Sequence, residues 1–329
     1  MKVLFIGGTG IISSACSQLA LERGIELYLL NRGQSTRPIP AGAHVLHADI
    51  RDPQSVVKAL GGHKFDSVVD WVAYTPQHVE NDLELFRERT DQYVFISSAS
   101  AYQKPIAGLP ITESTVLANP FWEYSRNKIA CEDLLVHAYR MQQFPMTIVR
   151  PSHTYDPTTL PMHGRWTVIE RMLRGKKVIV HGDGTSLWTL THHKDFAKGF
   201  LDLLGNPHTI GEAYHITSDE SITWNQVFEL LAHAAGVEAH IVHIPSERIN
   251  LYDPDWGASL LGDKAFSVIF DNSKIKRLVP DFCAAIPFAQ GAKEIIAWFM
   301  ADPARRAVDP VFDKMIDRII DDYEKSAPR

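Results

Sequence analysis

Residues 3–10, Val3-Leu4-Phe5-Ile6-Gly7-Gly8-Thr9-Gly10, run from an unbroken apolar stretch straight into a glycine turn. A short run of this kind suits a buried strand, and the turn leads into a helix-like segment over Ser13–Arg23. Gly7 permits a sharp turn. Gly10 lets the backbone approach a pyrophosphate at the start of the next helix, and Ser13 is small enough for tight helix–strand packing. An ordinary strand-to-helix turn would read the same way in isolation. Its place inside a strand–turn–helix unit favours dinucleotide binding, with Gly7, Thr9, Gly10, Ile11 and Ile12 as candidate contacts.

The first half of the chain repeats that alternation. Apolar runs at Val3–Ile6, Leu27–Leu30, Ser67–Trp71, Tyr93–Ile96 and Met146–Val149 are separated by helical stretches at Ser13–Arg23, Pro53–Leu60, His78–Arg89 and Tyr124–Gln142. This order predicts an α/β fold with a parallel sheet covered on both faces. After Arg150-Pro151 the pattern loosens. Strands are expected at Val178–His181, Ala213–Thr217, His240–Ile244 and Phe266–Phe270, and helices near Trp166–Arg174, Asp195–Leu204, Trp224–Ala235, Ala289–Met300 and Val311–Tyr323. The division expected is a nucleotide-binding domain over 1–152, plus roughly 190–217, and a smaller α/β substrate lobe over 153–189 and 218–329.

A formal charge of -6 over 329 residues leaves no electrostatic footprint for nucleic acid or an anionic membrane. Three scattered cysteines, Cys16, Cys131 and Cys283, suggest a reducing compartment, not a disulfide framework or zinc site. With no leader-like segment and no apolar run of spanning length, the expectation is a soluble cytoplasmic protein. The 15 histidines include His153, His163, His192 and His193 near the expected cleft, but their spacing fits no metal-ligand motif, so no metal is expected. Adjacent His192 and His193 are expected to point opposite ways on an extended segment.

The end of the second strand bears on the cofactor. Asn31 can hydrogen-bond a ribose, while Arg32 can pair with a 2′-phosphate or stay solvated. The reading is NAD(P), tilted slightly towards NADP. Asp49 and Ile50 follow the third strand, where the adenine would sit.

Tyr124 and Lys128 lie four residues apart on a helix and so share a face. A free tyrosine has a pKa of about 10, and a nearby ammonium favours its phenolate. Ser98, at the end of the strand preceding Ser97-Ser98-Ala99-Ser100-Ala101-Tyr102, would hydrogen-bond the substrate oxygen whose proton Tyr124 removes. Ser100, Tyr102, Trp122, His153 and Trp188 are candidate substrate contacts, and His153 is a candidate second acid/base.

Gly7-Gly8-Thr9-Gly10, Ser98 with Tyr102, Tyr124-x-x-x-Lys128, Arg150-Pro151 and His181-Gly182-Asp183-Gly184 occur in an order that resembles extended short-chain dehydrogenases/reductases, the NAD-dependent epimerase/dehydratase family. The resemblance implies a Rossmann doubly wound sheet, a C-terminal substrate lobe, and catalytic roles for Ser98, Tyr124 and Lys128. It also implies cofactor contacts at Val72, Ala73 and Pro151–His153, a sugar-like substrate and a homodimer. Trp188 stands where nucleotide-sugar members carry an arginine, and Lys264-Ala265-Phe266-Ser267 offers no second one. A diphosphate would lose bidentate partners there. The expected activity is epimerase/dehydratase or oxidoreductase chemistry on a secondary hydroxyl. Some features are similar to the chloroplast stem-loop-binding branch, which implies an alternative: an NAD(P)-binding scaffold that binds RNA or a regulatory ligand without turnover.

Overall fold

Each strand of the first half places alternate residues on opposite faces, and both faces are buried. The computed structural model, which describes residues 1–326, shows why the apolar runs are unbroken. Strands β1 (Lys2–Ile6), β2 (Glu26–Asn31), β3 (His44–His47), β4 (Ser67–Asp70), β5 (Tyr93–Ile96) and β6 (Met146–Pro151) join a returning strand, Ala213–Ile216. They form a seven-stranded parallel sheet in the order 213–216, β6, β5, β4, β1, β2, β3. Helices α2 (Pro53–Leu60), α3 (Pro76–Phe86) and α4 (Glu123–Gln142) pack on the face carrying Leu4, Ile6, Val68 and Phe95. Helix α1 (Ile11–Glu22) and the helix His193–Leu201 cover the face carrying Val3, Phe5, Val69 and Val94. This is a Rossmann-type, doubly wound α/β fold. The strand order reverses between β1 and β4, so their carboxyl ends open a crevice at the switch point.

A separate core gathers Trp166, Val178, Trp188, Trp224, Phe288, Phe299 and Phe312 from the later part of the chain. The strand expected over Phe266–Phe270 does not form. Leu260–Lys264 is a π-helical turn, after which Val268 N–H donates to the Leu187 carbonyl at 2.9 Å and Phe270 makes a single bridge to Ile111. Val268 and Phe270 are buried by packing, so their apolar, β-prone character serves the core without a ladder. Residues 327–329 of the expected substrate lobe lie outside the described residues. No helix among the described residues is long and apolar enough to cross a membrane.

Two groups of buried polar residues tie the elements together. Arg150 on β6 pairs with Glu132 on α4 at 2.6 Å, both side chains almost inaccessible, and Ser97 Oγ donates to the same carboxylate at 2.5 Å. Breaking a buried pair strands the other charge and typically costs about 3–5 kcal/mol. Arg150→Met is therefore expected to lower the unfolding free energy by about that amount, read by urea denaturation. A loss below about 1 kcal/mol would show that the Glu132 carboxylate finds other solvation.

The second group is histidines. His181 Nε2 meets the Lys264 carbonyl at 2.9 Å, and His215 bridges the Tyr102 hydroxyl at 3.1 Å and the Asp271 carbonyl at 2.8 Å. His192 and His193 do not point apart: their rings meet edge to face, centroids 4.6 Å apart, because the strand Leu190–His192 turns into a helix between them. Burial pushes His181 and His193 down to about 4, and lowers His192 and His215 as well. An unfolded histidine titrates near 6.5, so the unfolded chain takes up protons first as pH falls. The stability these groups confer is complete above about pH 6.5 and is lost towards about pH 4. The thermal midpoint is expected to drop between pH 6.5 and 4.5, and less steeply in His181→Gln; parallel curves for the two proteins would refute the assignment.

Candidate active site

At the switch point, a cleft of about 420 Å³ is lined by Gly7, Thr9, Gly10, Asn31, Arg32, Gln34, Ser35, Asp49, Ile50, Arg51, Val72 and Tyr74. Gly7 has φ +83°, and a Cβ there would sit 2.6 Å from Val72 Cγ1, so only glycine keeps this wall of the cleft open. Ser13 Oγ donates to the Gly7 carbonyl at 3.0 Å and accepts from Gly10 N–H at 2.7 Å, fixing the turn against α1. Ile11 and Ile12 open α1, partly exposed at its N-terminus. A groove of this size, with the glycine turn in its lining and Asn31, Arg32 and Asp49 from the ends of β2 and β3, fits a dinucleotide. Arg32 and Asp49, both exposed, approach to 3.7 Å.

Beside it lies a smaller cleft of about 230 Å³, lined among others by Ser98, Ser100, Trp122, Tyr124, Pro151, Ser152, His153 and Trp188. Trp122 caps the start of α4, which places Tyr124 in the first turn, facing this cleft, and Lys128 one turn deeper. Lys128 is 2% exposed; its Nζ donates to the Ala73 carbonyl at 2.6 Å and the Ile96 carbonyl at 2.7 Å. The same ammonium lies 4.8 Å from the Tyr74 ring centre and 5.8 Å from that of Tyr124. Burial pulls Lys128 down to about 8. The Ala73 carbonyl is itself aimed by Asp70, whose Oδ1 accepts from Val72 N–H at 2.5 Å and Ala73 N–H at 2.8 Å.

Tyr124 differs from expectation. Burial pushes its phenol well above the usual value and Tyr74 adds to the rise, while the Ser98 hydroxyl opposes it. The depression expected from Lys128 is not what dominates in the protein alone. Ser98 Oγ meets Ser100 Oγ at 2.9 Å, and Ser125 Oγ donates to Ser100 at 2.7 Å, so a chain of three hydroxyls orients Ser98.

Two other candidates change character. Tyr102 is fully buried, its hydroxyl 3.1 Å from His215 Nδ1 and 3.3 Å from Arg150 Nη1. The 3₁₀ turn Ala99–Ala101 carries it away from the cleft into the core, so it is not a substrate contact. His153 does line the cleft, but burial drives it down to about 3, which leaves it neutral near pH 7 and unsuited to carrying a proton. Trp188 is 3% exposed and stacks towards Trp224, its ring centre 5.5 Å away.

Sequence reasoning missed Arg51 and Tyr74 at the first cleft, Asp263 with Lys264 at the second, and the contacts of Arg37. Arg37 reaches from the loop after β2 to Asp156 at 2.5 Å and Thr158 at 2.6 Å, strapping that loop to the far side of the crevice. Residues so far apart in the chain carry no local signal of their meeting. Among the described residues, no three His, Cys, Asp or Glu side chains cluster as a metal-ion site would require.

The sequence model of the NAD dependent epimerase/dehydratase family matches residues 3–217. A 2'-dehydrokanamycin reductase of Streptomyces kanamyceticus is 24% identical over 294 residues, 86% of this chain and 80% of the relative. The chloroplast stem-loop binding protein of 41 kDa b of Arabidopsis thaliana is 28% identical over 256 residues, 74% of this chain and 65% of the relative. Among solved structures, a dTDP-glucose 4,6-dehydratase from Bacillus anthracis in complex with NAD superposes with a TM-score of 0.74 at 19% identity, covering 92% of this chain and 98% of that one. With its glycine turn at the switch point of a doubly wound sheet and the family match running through β1 to the returning strand, the chain belongs to the NAD dependent epimerase/dehydratase family.

Proposed function

We propose that this protein is an NAD(P)-dependent oxidoreductase or epimerase/dehydratase acting on a secondary hydroxyl of a sugar or sugar-like substrate. The observation that carries the reading is the placement of Tyr124 in the lining of the smaller cleft, with Lys128 one turn below bonded to the Ala73 carbonyl next to Tyr74, which lines the dinucleotide groove. In this reading residues 1–152 with 190–217 hold the cofactor, and the remainder shapes the substrate cleft.

A bound nicotinamide supplies the hydride acceptor or donor. The protein's part is binding, orientation and proton transfer. Ser98, aligned by Ser100 and Ser125, donates to the reacting oxygen and holds it against Tyr124. Tyr124 takes the hydroxyl proton; burial opposes its phenolate, and the positive charges of Lys128 and of a bound oxidised nicotinamide would favour it. Lys128 also presents donors to the ribose hydroxyls. Its carbonyl partners, Ala73 and Ile96, take two of its three donors and hold the ammonium beneath Tyr74 and Tyr124. The net charge of -6 gives the RNA-binding alternative no electrostatic support.

NADP is the preferred cofactor in this proposal. Arg32 and Ser35 follow β2 along the groove, and a 2′-phosphate would draw Arg32 from its exposed contact with Asp49, whereas Arg51 is engaged by the Val72 carbonyl.

Tyr124→Phe is expected to cut turnover by about 10²–10⁴-fold, in the range of general acid–base contributions, with cofactor affinity nearly unchanged. Steady-state assays beside a cofactor titration check this, and unaltered turnover would remove Tyr124 from the proton route. Arg32→Ala is expected to weaken NADP binding about tenfold while NAD binding changes little, as one charge-assisted contact is lost. Fluorescence titration with both cofactors decides the matter, and equal losses would end the NADP preference.

A further inference from the structure

Lys264 stands where two cavities meet. It lines the 230 Å³ cleft with Tyr124 and also a more open cleft of about 500 Å³ that includes His163, Arg165 and Phe312; His153 is shared between them. Its main chain is held from two sides: the Lys264 carbonyl accepts from His181 Nε2 at 2.9 Å and Ser186 Oγ at 3.1 Å. The π-helical turn that carries it is tied to the Tyr124 side of the cleft. Asn119 Nδ2 donates to the Gly262 carbonyl at 2.6 Å and the Ser100 carbonyl at 2.9 Å, and a Cβ on Gly262 would lie 2.5 Å from Trp122 Cβ. π-Helical turns recur at functional sites, and this one fixes its last residue relative to Ser98 and Tyr124.

The architecture uses the backbone of Lys264 and leaves its ammonium unspent. Among the described residues Nζ forms no ion pair; it lies 5.5 Å from the Trp122 ring centre and makes one long hydrogen bond, of 3.5 Å, to the Ser259 carbonyl. Its acidic neighbour is engaged elsewhere: Asp263 Oδ1 lies 3.6 Å from Lys104 Nζ, a side chain with no exposure and no other polar partner. Asp263 also acts on Lys264, whose ammonium burial disfavours, and burial holds the adjoining His153 neutral. Two lysines against one aspartate leave one net positive charge here, and of the two ammoniums it is that of Lys264 that belongs to the cleft lining. No arginine lines it.

We infer that Lys264 is a specificity-determining residue that binds a compact oxyanion on the substrate, a carboxylate or phosphoryl group, so that the sugar-like substrate of the proposed reaction is itself anionic. The inference rests on the functional reading above for the identity of the cleft. A cationic amino sugar would instead meet like charge in a partly desolvated site.

The test is binding, independent of turnover. With the cofactor groove filled by saturating NADP, glucuronate, glucose 6-phosphate, glucose and glucosamine are titrated against the fluorescence of Trp122 and Trp188, both of which line the cleft. The expected result is at least about tenfold tighter binding of one anion than of glucose or glucosamine, abolished in Lys264→Met and retained in Lys264→Arg. Tighter glucuronate identifies the carboxylate as the natural group, and tighter glucose 6-phosphate the phosphoryl. Equal affinities, no anion binding, or an anion preference that survives Lys264→Met overturns the inference. A prior titration of NADP into each cofactor-free protein keeps the two ideas apart: cofactor binding without anion preference refutes only the role of Lys264, whereas absent cofactor binding refutes the redox reading.

Discussion

Helix α4 is laid on the sheet through a stripe of polar side chains spaced one turn apart: Tyr124, Lys128 and Glu132. Lys128 spans the carbonyls of Ala73 and Ile96, joining the segments that follow β4 and lie in β5. Glu132 joins Ser97 at the end of β5 to Arg150 on β6. A buried ammonium or carboxylate tolerates little displacement, because each lost partner leaves charge unsolvated in a low-dielectric interior. The stripe therefore sets the height and rotation of α4, and with them the position of Tyr124 over the cleft.

Other contacts of the site reinforce that geometry. Asp70 aims the Ala73 carbonyl at Lys128 through two backbone N–H groups. Ser125, one residue beyond Tyr124, starts the hydroxyl chain through Ser100 to Ser98. The tyrosine and the serine that would share a substrate oxygen are thus positioned by one helix and one strand end, both rigid, as a proton-transfer site requires. The substrate side depends on a different device. There a π-helical turn is pressed onto Trp122 and Asn119, which brings Asp263 and Lys264 to the cleft from the later part of the chain.

Much of the nucleotide half was legible because its signals are local. The β1 run, the glycines after it, and the four-residue step from Tyr124 to Lys128 each involve neighbours along the chain, and the parallel sheet follows from their alternation with helices. The expectations that failed depended on distant partners. Phe266–Phe270 has the composition of a strand but pairs only through an isolated bridge to Ile111, so packing claims its side chains. Tyr102 belongs to a strand-end motif, yet Arg150 and His215 supply a better-satisfied place for its hydroxyl in the core. His153 sits in the lining of the cleft, where burial favours its neutral form.

By itself the sequence determined the Rossmann class, the nucleotide turn and the pairing of a tyrosine with a lysine, since periodicity and short spacings are properties of the backbone that any context preserves. Only the tertiary structure decided which charges remain free. Lys104 pairs with Asp263 from 159 positions earlier in the chain, and a carbonyl cage occupies Lys128 while Lys264 is left facing the cleft. Solvation and pairing depend on distance in space, and no local pattern of residues encodes that distance.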